Sequence, residues 1–335
     1  MSDTERKCRL RSAAVIHLYV HGRGRGHATR CLAIARALEE AGLAFRAFVG
    51  RDGIPLFSSA YPCTEVMSLP PTPGRAALGI ASRVRDAIAS ARREHASVVL
   101  SDGDLPGLLA ASALRIPSIA IGHGLVFSEC RRPASLPRAP WLREGAKAAA
   151  SSLGARRTIA VNFVPLEART RRAIVARPAL DERLHRNSNP SGVLCYFRDG
   201  APDVLRSLVE LGVRPVVFAA RDPQVEGVDY EPQGRARFIE RLASARVVIA
   251  SAGSQLISEC VGLGIPVLAL YEPSDDEQRL NAAMVRDAGL GDGCSFAALT
   301  PRRLERFVST PPSATSLAFD APDVARATLD AIAQL

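Results

Sequence analysis

Aromatic residues are scarce in this 335-residue chain, at 5% of the total, and tryptophan occurs once. Within a hydrophobic share of 47%, aliphatic side chains must therefore carry the packing, as in parallel strands buried on both faces. A chain of this length can fill two cores of ordinary domain size. No C-x-x-C pair exists, and the seven cysteines (8, 31, 63, 130, 195, 260, 294) are scattered and odd in number. That usage predicts reduced thiols in a cytoplasmic protein, several of them in apolar runs. No stretch reaches the ~20 apolar residues of a membrane span. The start does not read as a secretory leader, because Arg6, Lys7, Arg9 and Arg11 precede an apolar run of only about eight residues. Basic runs interleaved with aromatics are missing too, which excludes nucleic acid as a partner.

Lysine is nearly absent, at positions 7 and 147 only, yet the net charge is +9. Residues 1–175 carry 26 Arg and Lys against 13 Asp and Glu, a balance of +13; residues 176–335 carry 17 against 21, a balance of −4. A basic first half suits an anionic acceptor or the inner face of an anionic membrane. A chain that uses arginine almost in place of lysine carries such an excess without any partner.

The most informative stretch is 245–289, ARVVIASAGSQLISECVGLGIPVLALYEPSDDEQRLNAAMVRDAG. An apolar run (247–250) breaks at Ser251-Ala252-Gly253-Ser254. Helical spacing follows (Leu256, Ile257, Cys260, Val261) and ends at Gly262 and Gly264. A second apolar run (266–270) then leads to a polar cluster, Asp275-Asp276-Glu277-Gln278. Strand, small-residue turn, helix and strand form a βαβ unit. Its turn presents backbone N–H groups at a helix N-terminus, which suits a diphosphate, and Gly and Ser let the backbone come close. Ser251, Gly253, Ser254 and Gln255 are the candidates there. Glu259 lies further along the helix, where a carboxylate can accept both hydroxyls of a ribose.

These residues resemble the C-terminal donor site of GT-B glycosyltransferases of the family 28 type, which includes the lipid-linked N-acetylglucosamine transferase of peptidoglycan synthesis. The resemblance rests on Gly253, Ser258-Glu259, Gly264-Ile265-Pro266, Glu277-Gln278 and Asn281-Ala282. It implies that Glu259 holds the ribose and Gln278, beside Glu277, the sugar hydroxyls, with Asn281 supporting the loop. An Arg that some relatives carry just before the turn is replaced by Ser251, so diphosphate binding falls to backbone and hydroxyl groups. Phe238, in Phe238-Ile239, matches the position that stacks on the base in the peptidoglycan relative; a core role fits it equally.

The first half opens with an apolar run, 13–20, followed by His21-Gly22-Arg23-Gly24-Arg25-Gly26-His27. A helix comes next, with apolar positions at Ala28, Cys31, Leu32, Ala35 and Leu38, closed by Gly42. As a dinucleotide fingerprint this is weak, since only Asp52 could serve as the ribose carboxylate. Gly24, Gly26, His27 and Arg30 instead resemble the N-terminal loop of GT-B enzymes, where a His at the first helix start faces the acceptor. Gly24 and Gly26 are counted with the donor-side candidates. Imidazole, with an ordinary pKa of ~6.5, can take a proton from a hydroxyl at neutral pH; a helix cap or a phosphate contact is the alternative for His27.

The run 97–100 ends at Ser101-Asp102-Gly103-Asp104. Asp-x-Asp is a metal–nucleotide motif in the GT-A class. In GT-B relatives an Asp at this strand end orients the catalytic His, which assigns that role to Asp102 and needs no metal. A helix N-cap by Asp104 is a further option. The run 116–121 leads to Gly122-His123-Gly124, and His123 is a candidate acceptor-side contact or a structural residue. Residues 69–74 (LPPTPG) read as a loop over an acceptor cleft. Residues 128–157, with Arg131, Arg132, Arg138 and Arg143 around Trp141, suit a peripheral membrane or lipid-acceptor face, or a solvated loop. The run 158–165 closes the first sheet.

Periodicity lapses at 176–191 and restarts at 192–197, with a turn at Arg198-Asp199-Gly200; Arg198 is a further donor-side candidate. The expected architecture is α/β: two Rossmann-like, doubly wound parallel-sheet domains facing across a cleft in the GT-B manner. The divisions are 1–175 for the acceptor, 176–191 as hinge and 192–322 for the nucleotide-sugar. A terminal helix at 323–335 is positioned to cross back to the first domain. The expected activity is inverting, metal-independent transfer from a nucleotide-sugar, uridine first, to an acceptor hydroxyl. The donor is a co-substrate, and no cofactor is called for. Gly26-His27 with Arg30-Cys31-Leu32 also looks like the UDP-sugar hydrolase of pseudaminic acid synthesis. A nonenzymatic sugar-nucleotide sensor is the third reading.

Overall fold

The computed structural model describes residues 15–22, 25–68, 73–313 and 319–335. The chain divides into two compact units. Unit 1 comprises Met1–Arg131, Glu144–Ala179 and Asp320–Leu335; unit 2 comprises Arg132–Arg143 and Leu180–Phe319.

Unit 1 is built on seven strands: β1 (Val15–Val20), β2 (Phe45–Gly50), β3 (Cys63–Val66), β4 (Ala96–Asp102), β5 (Ser118–Gly122), β6 (Arg157–Val161) and β7 (Ala173–Ala176). Their order is β3-β2-β1-β4-β5-β6-β7, and every pairing is parallel. The central strands are apolar runs because helices cover both faces. The first helix, α1 (Arg25–Glu40), buries Ala28, Cys31, Ile34, Ala35 and Leu38 completely, a spacing of three and four that makes one apolar stripe. Leu32 sits at the margin of that stripe. The last helix (Val324–Ala333) adds Val324, Ala327 and Ala331 to the same core cluster. Its N-cap Asp323 accepts from the Arg326 N–H at 2.9 Å.

Unit 2 holds six strands: β8 (Val193–Tyr196), β9 (Val216–Ala219), β10 (Asp229–Pro232), β11 (Val247–Ser251), β12 (Val267–Tyr271) and β13 (Gly291–Ser295). Their order is β10-β9-β8-β11-β12-β13, again all parallel. Between β11 and β12 runs a helix, Ser254–Leu263, that ends at Gly264 with φ +62°. The Gly264 N–H caps the carbonyls of Cys260 and Val261 there, a left-handed closure that glycine makes without a Cβ penalty.

Three expectations change. The first sheet is not closed by the 158–165 run, because β7 adds a further strand beyond β6. Pro73 and Gly74 belong not to a loop but to the helix Pro73–Arg93; residues 69–72 lie outside the described residues. Residues 138–151 form a helix, and its Trp141 is 3% exposed, so the indole is a core group and cannot anchor a membrane face. Within that run Arg132 bonds the carbonyls of Pro133, Ala134 and Leu136. Arg143 forks onto Asp276 at 2.6 and 2.8 Å. Among the described residues no helix is long and apolar enough to cross a membrane. The six described cysteines are free thiols, five of them buried.

Replacing Gly264 with alanine tests the helix closure. A Cβ there would meet only the far end of Arg186 at 3.4 Å, so backbone strain alone sets the cost. The expected loss is about 1–2 kcal/mol of unfolding free energy, read from urea unfolding curves.

Candidate functional site

In each sheet the strand order reverses once, between β1 and β4 in unit 1 and between β8 and β11 in unit 2. Chains leaving two parallel strands at such a reversal turn to opposite faces, opening a crevice at the carboxyl ends. Both groups of candidate residues lie at these points.

In unit 1, Val20 at the end of β1 is in register with Asp102 at the end of β4. The His21 N–H bonds the Asp102 carbonyl at 3.0 Å, fixing the spacing of the two strand ends. The Asp102 side chain is fully buried. His27 Nδ1 lies 2.6 Å from its Oδ1, while Arg30 donates to Oδ2 through Nε at 2.6 Å and to Oδ1 through Nη2 at 2.8 Å. His27 and Arg30 are three residues apart on α1 and so share a helix face. Burial opposes the carboxylate charge, but the Arg30 guanidinium and then His27 outweigh it, and Asp102 is held well below the usual carboxylate range. An ionised Asp102 accepts the Nδ1–H of His27, which places the lone pair of the neutral ring on Nε2. The His27 side chain is 31% exposed, so that nitrogen can meet a ligand.

Gly103 completes this corner. Its φ is +71°, and an added Cβ would lie 3.2 Å from the Cβ of His21 and 3.3 Å from Cε1 of His27. Cys31 donates its S–H toward Asp102 Oδ2 at 3.5 Å; burial first, then the nearby carboxylate, push its thiol well up. Asp104 takes the N-cap option: Oδ1 accepts from the Gly107 N–H at 3.1 Å and Oδ2 from Arg83 at 2.8 Å. Each carboxylate of the Asp-x-Asp pair thus faces a guanidinium rather than another oxygen donor, a charge pattern unsuited to a divalent cation. Gly24 lies outside the described residues, while Gly26 sits in the first turn of α1.

His123 follows β5 but does not reach outward. It is 5% exposed, its Nδ1 lies 3.0 Å from the Val161 carbonyl, and its ring packs against Phe127 and Phe163. The structural role fits it, and the acceptor contact does not.

In unit 2, Ser251 ends β11, and Ala252-Gly253 turn the chain into the helix Ser254–Leu263. Gly253 is the N-cap, and no side chain caps this end. Asn281, fully buried, donates from Nδ2 to the Ala252 carbonyl at 3.0 Å and so pins the turn. Asn281 belongs to the helix Asp276–Asp287, whose N-cap Asp275 accepts from the Gln278 N–H. Glu277 and Gln278, four and three residues before Asn281, share its helix face and are half-buried. Arg198 is exposed in the turn after β8. Since Tyr196 pairs with Ala250, that turn lies at the same carboxyl edge as Ser251.

Phe238 is not available to stack on a base. It is 7% exposed and meets Tyr196 and Phe218 edge to face, because the apolar stripe of its helix, Arg235–Ser244, turns it into the core. Glu259 is 1% exposed. Arg235, which motif reading missed, pairs with its Oε1 at 2.9 Å, and Gln255 donates to the same oxygen at 3.1 Å. Burial raises the Glu259 carboxyl above its ordinary value, with Arg235 opposing. Arg30 stood within the quoted pattern but had no role; its spacing from His27 was the available clue.

With this geometry in place, comparison with known proteins is decisive for the family. The family model described as glycosyl transferase family 1 matches residues 77–312. The chain belongs to that family. It is also similar to an uncharacterized glycosyltransferase of Methanosarcina mazei, 23% identical over 343 residues, covering 85% of this chain and 87% of the relative. Among solved structures, MurG of Acinetobacter baumannii has a TM-score of 0.65 at 16% identity, over 97% of this chain and all of that one. VinC, solved in complex with dTDP, has a TM-score of 0.63 at 15% identity, over 96% of this chain and 99% of that one. The fold of this glycosyltransferase is therefore GT-B, with two Rossmann-like parallel-sheet domains.

Asp102→Asn keeps the shape of the side chain and strands the Arg30 charge. Loss of one partner of a buried pair costs about 3–5 kcal/mol, expected here at pH 7. Because folding depresses the Asp102 pKa, its stabilisation is present above the unfolded carboxyl value of about 3.9 and is lost below it. The deficit of the variant should therefore shrink as pH falls below about 4, measured by urea unfolding across that range.

Proposed function

We propose that this glycosyltransferase moves a sugar from a nucleoside-diphosphate donor, a UDP-sugar first, to an acceptor hydroxyl by single displacement with inversion and without a metal ion. The observation that carries this reading is the buried Asp102 held jointly by His27 and Arg30. His27 Nε2 takes the acceptor proton, the hydroxyl oxygen forms its bond to the anomeric carbon, and the bond from that carbon to the diphosphate oxygen breaks. The electron pair leaves on the diphosphate. Asp102 keeps the ring in the required tautomer and stabilises the imidazolium that forms, as an orienting carboxylate does in other histidine bases. Arg30 keeps Asp102 ionised throughout.

The leaving diphosphate carries the developing charge to the helix start at Gly253-Ser254-Gln255. Its N–H groups and dipole favour an anion, and fixed dipoles of this kind stabilise charge as it develops. No cation near the turn is required, which agrees with Ser251 standing where some relatives place Arg. Glu259 receives the ribose hydroxyls, and Gln278 with Glu277 faces the sugar. The solved VinC complex holds a thymidine nucleotide, so the base is a point for measurement. The excess of arginine in residues 1–175 suits an anionic or lipid-linked acceptor, met at the inner face of the cytoplasmic membrane.

A panel of nucleoside diphosphates in a thermal-shift assay tests the donor assignment: UDP should raise the midpoint more than TDP, ADP or GDP. His27→Ala should lower turnover by about 10²- to 10⁴-fold while leaving nucleotide affinity unchanged. Unaltered turnover in that variant sinks the base role. Purified enzyme given a UDP-sugar without acceptor should release sugar slowly; prompt stoichiometric release would assign water as the acceptor.

A further inference from the structure

Glu259 is a buried acid whose Oε1 is engaged by the protein itself, by Arg235 Nη1 at 2.9 Å and by Gln255 Nε2 at 3.1 Å. Arg235 is itself anchored on the other side. Its Nη2 and Nε each lie 3.4 Å from Oδ2 of Asp181, and Asp181 is gripped by Arg183 at 2.8 and 2.9 Å. The hydrogen bond from Arg183 is the main reason the Asp181 carboxyl falls to about 2, despite partial burial. Arg183, Asp181, Arg235 and Glu259 thus alternate in charge along one chain of contacts that ends at the candidate ribose carboxylate. Two of the four come from 181–183, which sequence periodicity marked only as a hinge.

We propose that Arg235 is the positioning residue of the nucleotide pocket: by occupying Oε1 it aims Oε2 of Glu259 at the ribose of the donor. A carboxyl group removed from water prefers to be protonated. A protonated Glu259 would give up part of its capacity to accept from ribose hydroxyls. The cation beside Oε1 opposes that preference and favours the charged form, and the Asp181 anchor keeps the guanidinium in place. The planar fork of arginine spans two carboxylates at once, which the single ammonium of lysine does less well. Arg235 does not touch the diphosphate in this assignment. The inference rests on unit 2 being the donor domain.

Titration calorimetry with UDP, ADP and GDP, each beside its 2′,3′-dideoxy analogue, separates the possibilities. The wild-type enzyme should favour the ribose form of its preferred nucleotide by about tenfold or more, as expected for hydrogen bonds to a charged acceptor. In Arg235→Met, and in Arg235→Gln as a second variant that retains hydrogen bonding without charge, this preference should collapse toward unity. The affinity for the dideoxy form should stay at the wild-type level. Arg235→Lys should recover part of the preference. An equal loss of affinity for both forms would show that Arg235 contacts the phosphates and would overturn the proposal, as would an unchanged preference in both variants. Failure of the wild-type protein to bind any of the three nucleotides would remove the donor assignment itself.

Discussion

The first unit is organised around a charge that should not be buried. Asp102 has no exposure to solvent, yet it sits at the carboxyl end of a central strand with a guanidinium and an imidazole closed upon it. Desolvation of such a group costs several kcal/mol unless its partners are well placed. The partners are well placed because β1, α1 and β4 fix them from three directions. The His21–Asp102 backbone bond sets the two strand ends. The spacing of His27 and Arg30 puts both on one face of α1, and Gly103 clears the space beside the imidazole. An imidazole held this way needs no further group to choose its tautomer.

The second unit solves a related problem with another buried acid, Glu259. Asn281 pins the turn after β11, and Arg235 with Gln255 engages one oxygen of Glu259. Both sheets place these groups where their strand order reverses, so the two halves repeat one geometric device for different chemistry. In the first, the cation secures the acid that holds the imidazole. In the second, it pairs with a buried acid in the helix that follows β11.

The central strands were legible because their apolar runs reflect burial on both faces. The strands that left no such trace are Cys63–Val66, Asp229–Pro232 and Gly291–Ser295, all at sheet edges, and the fourth edge, Ala173–Ala176, is an apolar run of only 4 residues. An edge strand has a neighbour on one side only and is free to carry polar residues and glycine. Trp141 and His123 misled for a related reason. An indole among arginines and a histidine between glycines look like surface groups in one dimension, but both pack inward once their helix and strand are in place. Phe238, one turn into its helix, is drawn into the core by the same stripe that orders its neighbours.

The sequence by itself determined the two parallel sheets, the turn at 251–254 and the glycine stop at Gly264, because each depends on local spacing, whereas the pairing of His27 with Asp102, 75 positions apart, was implied only by resemblance. Tertiary structure alone decided which charges close on which. Arg235 meets Glu259 from 24 positions away, and Arg83 takes Asp104 from 21 positions away. No spacing rule announces such contacts, since they arise only when separate helices and loops are folded against one sheet and a buried carboxylate must find a cation within reach.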